Sequence, residues 1–127
     1  MDQITKVKPH LYLGTAKHVI EQSEEFKALG INVIINCCDE ITLDQNDKYI
    51  IHHYPIDDDA IGNNFAECMD ECVALINGYI SEGLNVYIHC VHGVSRSAAM
   101  VIYYLMKYEK LSLNVSYNKL FLKRACI

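Results

Sequence analysis

No stretch of this sequence approaches the ~18 consecutive apolar residues that a membrane-spanning helix needs, so a membrane location is not expected. The first ten residues, MDQITKVKPH, are polar and resemble neither a signal peptide nor a transit peptide, so no targeting leader is expected. The expected location is the cytoplasm or the nucleus. Basic residues are in deficit. Eleven Lys and Arg face sixteen Asp and Glu, for a formal charge of −5, and that balance argues against a nucleic-acid or anionic-membrane partner. Proline occurs twice and glycine six times, with no low-complexity tract, no internal repeat and no linker. One domain over residues 1–127 is therefore expected, long enough to form a core without disulfides or metal. The apolar share of 51% excludes a disordered chain. The six cysteines (Cys37, Cys38, Cys68, Cys72, Cys90 and Cys126) lack the spacing of a secreted disulfide framework and read as free thiols.

What is present is an alternation of short apolar runs with helical periodicity. Ile4 to Val7 and Leu11 to Leu13 read as strands broken at Pro9. Ala16 to Leu29 carries one or two helices, stopped by Gly30. Ile31 to Asn36 is a β-branched run of the buried-strand kind. Lys48 to Tyr54 reads as a strand ended by Pro55. Phe65 to Ser81 repeats apolar residues at helical spacing and ends before Gly83. Val86 to His89 is a short central strand, and Arg96 to Tyr108 a helix buried on most sides. Leu113, Tyr117, Leu120 and Phe121 line one face of a last helix. The order predicts an α/β sandwich with helices on both faces of a central sheet.

One join stands out: strand 86–89, loop 90–95, then the helix from Arg96. It places "HCVHGVSRS" at the C-terminal end of a strand, where open α/β sheets bind ligands. If the loop curls, the amides of Val91, His92, Gly93, Val94, Ser95 and Arg96 can face a common anion, and Gly93 permits the required backbone angles. The helix N-terminus adds its positive end. Arg96 adds a fork that fits two oxygens of a phosphate. Cys90 at the floor of this nest would ionise below the ordinary thiol range and could attack phosphorus. Ser97 could donate to the sulfur as it leaves, and His89 braces the loop through backbone contacts. Cys37, Cys38, His89, Cys90 and His92 fit no common zinc spacing, so neither a metal nor another cofactor is expected.

With the histidine before, the glycine three after and the serine beyond the arginine, the loop resembles the HCxxGxxRS signature of the dual-specificity protein phosphatases of the cysteine-dependent phosphatase superfamily. "HLYLGTAKHV", "LGINVIINCCDE" and "SAAMVIYYLM" resemble three further segments of that family. The resemblance implies a three-layer α/β fold whose central sheet is mixed, mostly parallel and about five-stranded. It implies hydrolysis of phosphotyrosine and phosphoserine or phosphothreonine on proteins through a cysteinyl-phosphate. It also implies a general acid among Asp57, Asp58 and Asp59; the family pattern anchored on Pro55 selects Asp58, with Asp59 second. An ionised cysteine and a protonated aspartate imply an optimum of about pH 5–6.5. Asn36 matches a loop-supporting asparagine. Cys38 matches a cysteine that, in the related tumour-suppressor lipid phosphatases, pairs with the nucleophile on oxidation.

Two other readings compete. An RNA 5′-triphosphatase shares the histidine of "HCVHG", but its usual loop carries Asn and Thr-Gly where this chain has Ser95 and Ser97-Ala98. A non-catalytic phosphate-binding adaptor conflicts with the retention of Cys90 and Arg96. Val91, His92, Val94 and Ser95 include no lysine, which favours protein over inositol-lipid substrates. The chain stops at "LKRACI", before the family's Pro-Asn turn and last helical stretch. The expectation is either a domain truncated at its C-terminus or one at the minimum size, with an apolar surface open to dimerisation, hence a monomer or a homodimer.

Overall fold

The computed structural model describes residues 3–56 and 65–127. Its elements are β1 (Thr5–Lys8), β2 (Leu11–Thr15), α1 (Ala16–Glu21), α2 (Glu24–Lys27), β3 (Val33–Cys38), β4 (Ile50–Ile56), α3 (Phe65–Ser81), β5 (Val86–Cys90), α4 (Arg96–Tyr108) and α5 (Leu113–Lys123). The strands form one sheet in the order β1-β2-β5-β3-β4. β1 is antiparallel to β2; β2, β5, β3 and β4 run parallel. The expected mixed, mostly parallel, five-stranded sheet is what forms.

Side-chain alternation builds the three layers. Val33, Ile35 and Cys37 of β3 and Val86, Ile88 and Cys90 of β5 join the core under α3, α4 and α5. Ile34 and Tyr87 point the other way, onto Val19 and Phe26 of the two short helices. β5 sits in the middle and is wholly buried. Its C-terminal end therefore meets the loop with both neighbouring strands in register.

Three expectations need correction. β4 runs through Pro55 rather than stopping before it. Proline lacks an N–H, and an edge strand tolerates that because one side of its backbone has no ladder partner. β3 begins two residues later than the β-branched run suggests. The amides of both Asn32 and Val33 donate to the Asn85 carbonyl, so the run enters the sheet only there. Of the expected face Leu113, Tyr117, Leu120 and Phe121, the last helix buries only Leu120; the other three are exposed, and α5 docks through Ser116 and Leu120. Those two lie one turn apart, on a face rotated away from the other three.

Candidate active site

Cys90 closes β5 and pairs with Thr15 of β2. The chain then turns over residues 91–95 before α4 starts at Arg96. Two features force the turn. The Ala16 amide donates to the Val91 carbonyl at 3.1 Å, which ties the loop to the start of α1. Gly93 has φ +67° and packs so closely that a Cβ there would lie 2.6 Å from the Gly14 carbonyl oxygen. A side chain at 93 is excluded by both backbone angle and space.

The loop curls around sulfur. The amides of Gly93, Val94 and Ser97 are turned toward Cys90 Sγ and favour its ionised form, and Ser97 Oγ lies 3.1 Å from it. Burial pushes the thiol up, but the Ser97 hydroxyl and these amides outweigh it, so Cys90 ionises below the ordinary thiol range. The neighbouring thiols Cys37 and Cys38 and the imidazole of His89 stay neutral at pH 7. Burial drives Cys37 far up and Cys38 up to about 12. His89 is pushed down to about 4, mainly by burial. Its Nδ1 donates to the Cys90 carbonyl at 3.0 Å. Its Nε2 has no partner among the described residues.

That histidine carries a pH prediction. Its folded-state pKa lies below the unfolded value of 6.5, so between pH 6.5 and about 4 the unfolded chain binds the extra proton. Stability therefore falls as pH drops through this window, by on the order of 3 kcal/mol. Chemical unfolding at pH 7 and pH 4.5 measures the loss. His89→Gln should flatten the slope; an unchanged slope would assign the acid sensitivity to other groups.

Arg96 is nearly buried and is held from outside the loop. Nη1 and Nη2 meet Glu40 Oε1 and Oε2 at 2.6 and 3.2 Å, and Nη1 also donates to the Ile56 carbonyl at 3.2 Å. The arginine's hydrogen bond keeps the exposed Glu40 carboxyl ionised down to about pH 2. Asn36 supports this clamp rather than the catalytic loop. Its Oδ1 accepts from the Cys38 amide at 2.8 Å and its Nδ2 donates to the Ile41 carbonyl at 2.7 Å. It thus shapes the turn that carries Glu40, and the direct loop contact expected of it is replaced by an indirect one.

Cys38 is a buried free thiol, its sulfur 3.9 Å from His89 Nδ1. Asp57, Asp58 and Asp59 lie outside the described residues. Among the described residues no three His, Cys, Asp or Glu side chains cluster as a metal site would require, and no helix is long and apolar enough to cross a membrane. A depression of about 270 Å³ borders the loop at Val91 and His92, walled by Ala16, Ile20 and Ile41. A larger one, about 530 Å³, lies between α1 and the β3–β4 segment and touches no residue of 90–97. The small cradle over residues 90–97 suits an anion rather than a bulky ligand.

Two site residues escaped the sequence reading. Glu40 follows a strand end in "CCDE", where an acidic residue also reads as ordinary solvated turn. Arg124 is buried at 4% exposure, yet "LKRACI" gives no local sign of it, because its partners are remote in sequence.

The geometry agrees with three comparisons. The family described as dual specificity phosphatase, catalytic domain, matches residues 11–127. Human dual specificity protein phosphatase 9 is 31% identical over 115 residues, covering 89% of this chain and 29% of that protein. The protein 123R of Invertebrate iridescent virus 6 is 32% identical over 123 residues, covering 97% and 81%. The chain thus spans about a third of the length of the first human relatives. The crystal structure of a human tyrosine phosphatase-like serine/threonine/tyrosine-interacting protein superposes with a TM-score of 0.88 at 22% identity, covering all of this chain and 87% of that one. A matched catalytic-domain family over nearly the whole length, on this fold and around this loop, means that the chain belongs to the dual specificity phosphatase family.

Proposed function

We propose that this chain hydrolyses phosphate monoesters on proteins, at phosphotyrosine and at phosphoserine or phosphothreonine. The observation that carries the reading is the sulfur of Cys90 at the focus of three backbone amides and a hydroxyl. In the first step the thiolate attacks phosphorus, the bond from phosphorus to the leaving oxygen breaks, and Asp58 protonates that oxygen. Loop amides and Arg96 stabilise the charge on the three equatorial oxygens. In the second step Asp58 takes a proton from water, the water oxygen attacks phosphorus, and the phosphorus–sulfur bond breaks. The Ser97 hydroxyl donates to the departing sulfur, and inorganic phosphate leaves. Asp58 enters by family resemblance, with Asp59 as its alternate.

The test is phosphate release by wild type and Asp58→Ala. The substrates are p-nitrophenyl phosphate, phosphopeptides of all three kinds, a phosphoinositide and 5′-triphosphorylated RNA. Wild type is expected to act on the aryl phosphate and the phosphopeptides. Asp58→Ala is expected to lose about 10²–10⁴ in kcat on phosphopeptides. It should also lose the fall in rate at high pH that reports a protonated acid. Preference for the lipid or the RNA, with phosphopeptides untouched, would overturn the substrate class.

A further inference from the structure

Arg124 follows the last residue of α5, far from Cys90 in sequence. Its Nε donates to the Gly93 carbonyl at 2.9 Å and its Nη2 to the His92 carbonyl at 3.1 Å. Its Nη1 donates to Thr5 Oγ1 at 3.0 Å and to the Gln3 carbonyl. One guanidinium therefore joins the N-terminal segment, the end of α5 and the outer side of the catalytic loop.

The two loop carbonyls matter because of the amides they belong to. The His92 carbonyl shares its peptide unit with the Gly93 N–H, and the Gly93 carbonyl shares its unit with the Val94 N–H. In a planar trans peptide the C=O and N–H point in opposite directions. Gly93 and Val94 are two of the three residues whose amides are turned toward Cys90 Sγ. Each of these units is thus held at both ends, by Arg124 on its carbonyl and by sulfur on its N–H. The guanidinium prevents the units from rotating out of line. It also polarises them, since a cation on the carbonyl makes the opposite N–H a stronger donor.

We propose that Arg124 is a positioning residue for the anion cradle: by gripping the His92 and Gly93 carbonyls from behind, it sets the aim and the donor strength of the amides that hold the Cys90 thiolate. It does not touch the reacting atoms. Gly93 is part of the same device, because a Cβ there would lie 2.9 Å from Arg124 Nη2. Among the described residues, the other ionisable groups around the sulfur are Cys37 and Cys38 from β3, His89 from β5 and Arg96 from α4. The first three are neutral at pH 7. Among the described residues, a change in Cys90 on altering Arg124 therefore reports the amides and the arginines. The catalytic meaning of the proposal rests on Cys90 being the nucleophile; the titration that tests it does not.

The experiment is the pH dependence of Cys90 alkylation by iodoacetamide, read on the Cys90 peptide by mass spectrometry in the full chain. Arg124→Met is expected to raise the midpoint by about one pH unit, a roughly tenfold loss of thiolate at any pH below the wild-type midpoint. Arg124→Lys, which keeps the charge but not the fork, should shift it by less. Thr5→Val removes an Arg124 partner without freeing either loop carbonyl. It should lower thermal stability while leaving the midpoint in place. An unchanged midpoint in Arg124→Met overturns the proposal, as does a Thr5→Val shift equal to it. Should Arg124→Met fail to fold, Arg124→Lys decides by the same criterion. If wild type releases no phosphate from any substrate but its Cys90 midpoint follows residue 124, the phosphatase reading fails and this proposal stands. If hydrolysis is normal and the midpoint ignores residue 124, this proposal alone fails.

Discussion

Cys90→Ser is expected to slow phosphate release by on the order of 10³–10⁶-fold, as loss of a nucleophile does elsewhere, while phosphopeptide binding survives. The reason is the range over which the cradle can act. Three amides and the Ser97 hydroxyl bring a thiol below its ordinary pKa. The same donors cannot ionise a serine hydroxyl near neutral pH. The amides remain, however, and no longer face a negative sulfur. An incoming phosphate dianion is thus repelled less by the variant than by wild type. Single-turnover hydrolysis and calorimetric titration with a phosphotyrosine peptide measure the two effects separately. Retained turnover within tenfold of wild type would remove Cys90 from the mechanism.

Arg96→Lys is expected to cost about 10²–10³ in kcat/KM, the scale of losing one preorganised oxyanion donor. The substitution keeps the charge, so charge alone is not what the site needs. Arg96 is a planar fork fixed by Glu40 at both terminal nitrogens and by the Ile56 carbonyl. Lysine offers one flexible ammonium, which can satisfy Glu40 or the phosphate but cannot hold the fork geometry. The loss should appear in kcat as well as KM, because charge on the equatorial oxygens is greatest in the transition state. A change confined to KM would make Arg96 a binding residue only.

Much of this molecule can be read locally. The helices 65–81 and 96–108 are set by uninterrupted apolar periodicity, and their bounds coincide with α3 and α4. The loop is legible for a different reason. Cysteine, glycine and arginine at those spacings have no common purpose in a buried strand, so their joint presence points to anion chemistry. Errors arise where a local signal meets a tertiary choice. Pro55 reads as a strand end, but its strand lies at the sheet edge. Leu113, Tyr117, Leu120 and Phe121 read as one apolar face, but of these only Leu120 is buried, and α5 packs through it and Ser116.

From residue order alone came the α/β class, the position of the anion cradle and the cysteine at its floor. These depend on periodicities and spacings within one turn or one loop, where neighbours in sequence are neighbours in space. The tertiary structure alone decided what holds the cradle in shape: Glu40 on the fork of Arg96, Asn36 behind Glu40, and Arg124 on the backs of the Gly93 and Val94 peptide units. Those partners meet only when the sheet orders its strands and the last helix returns to the first strand. A hydrogen bond between residues 31 or 56 positions apart leaves no mark on the sequence around either end.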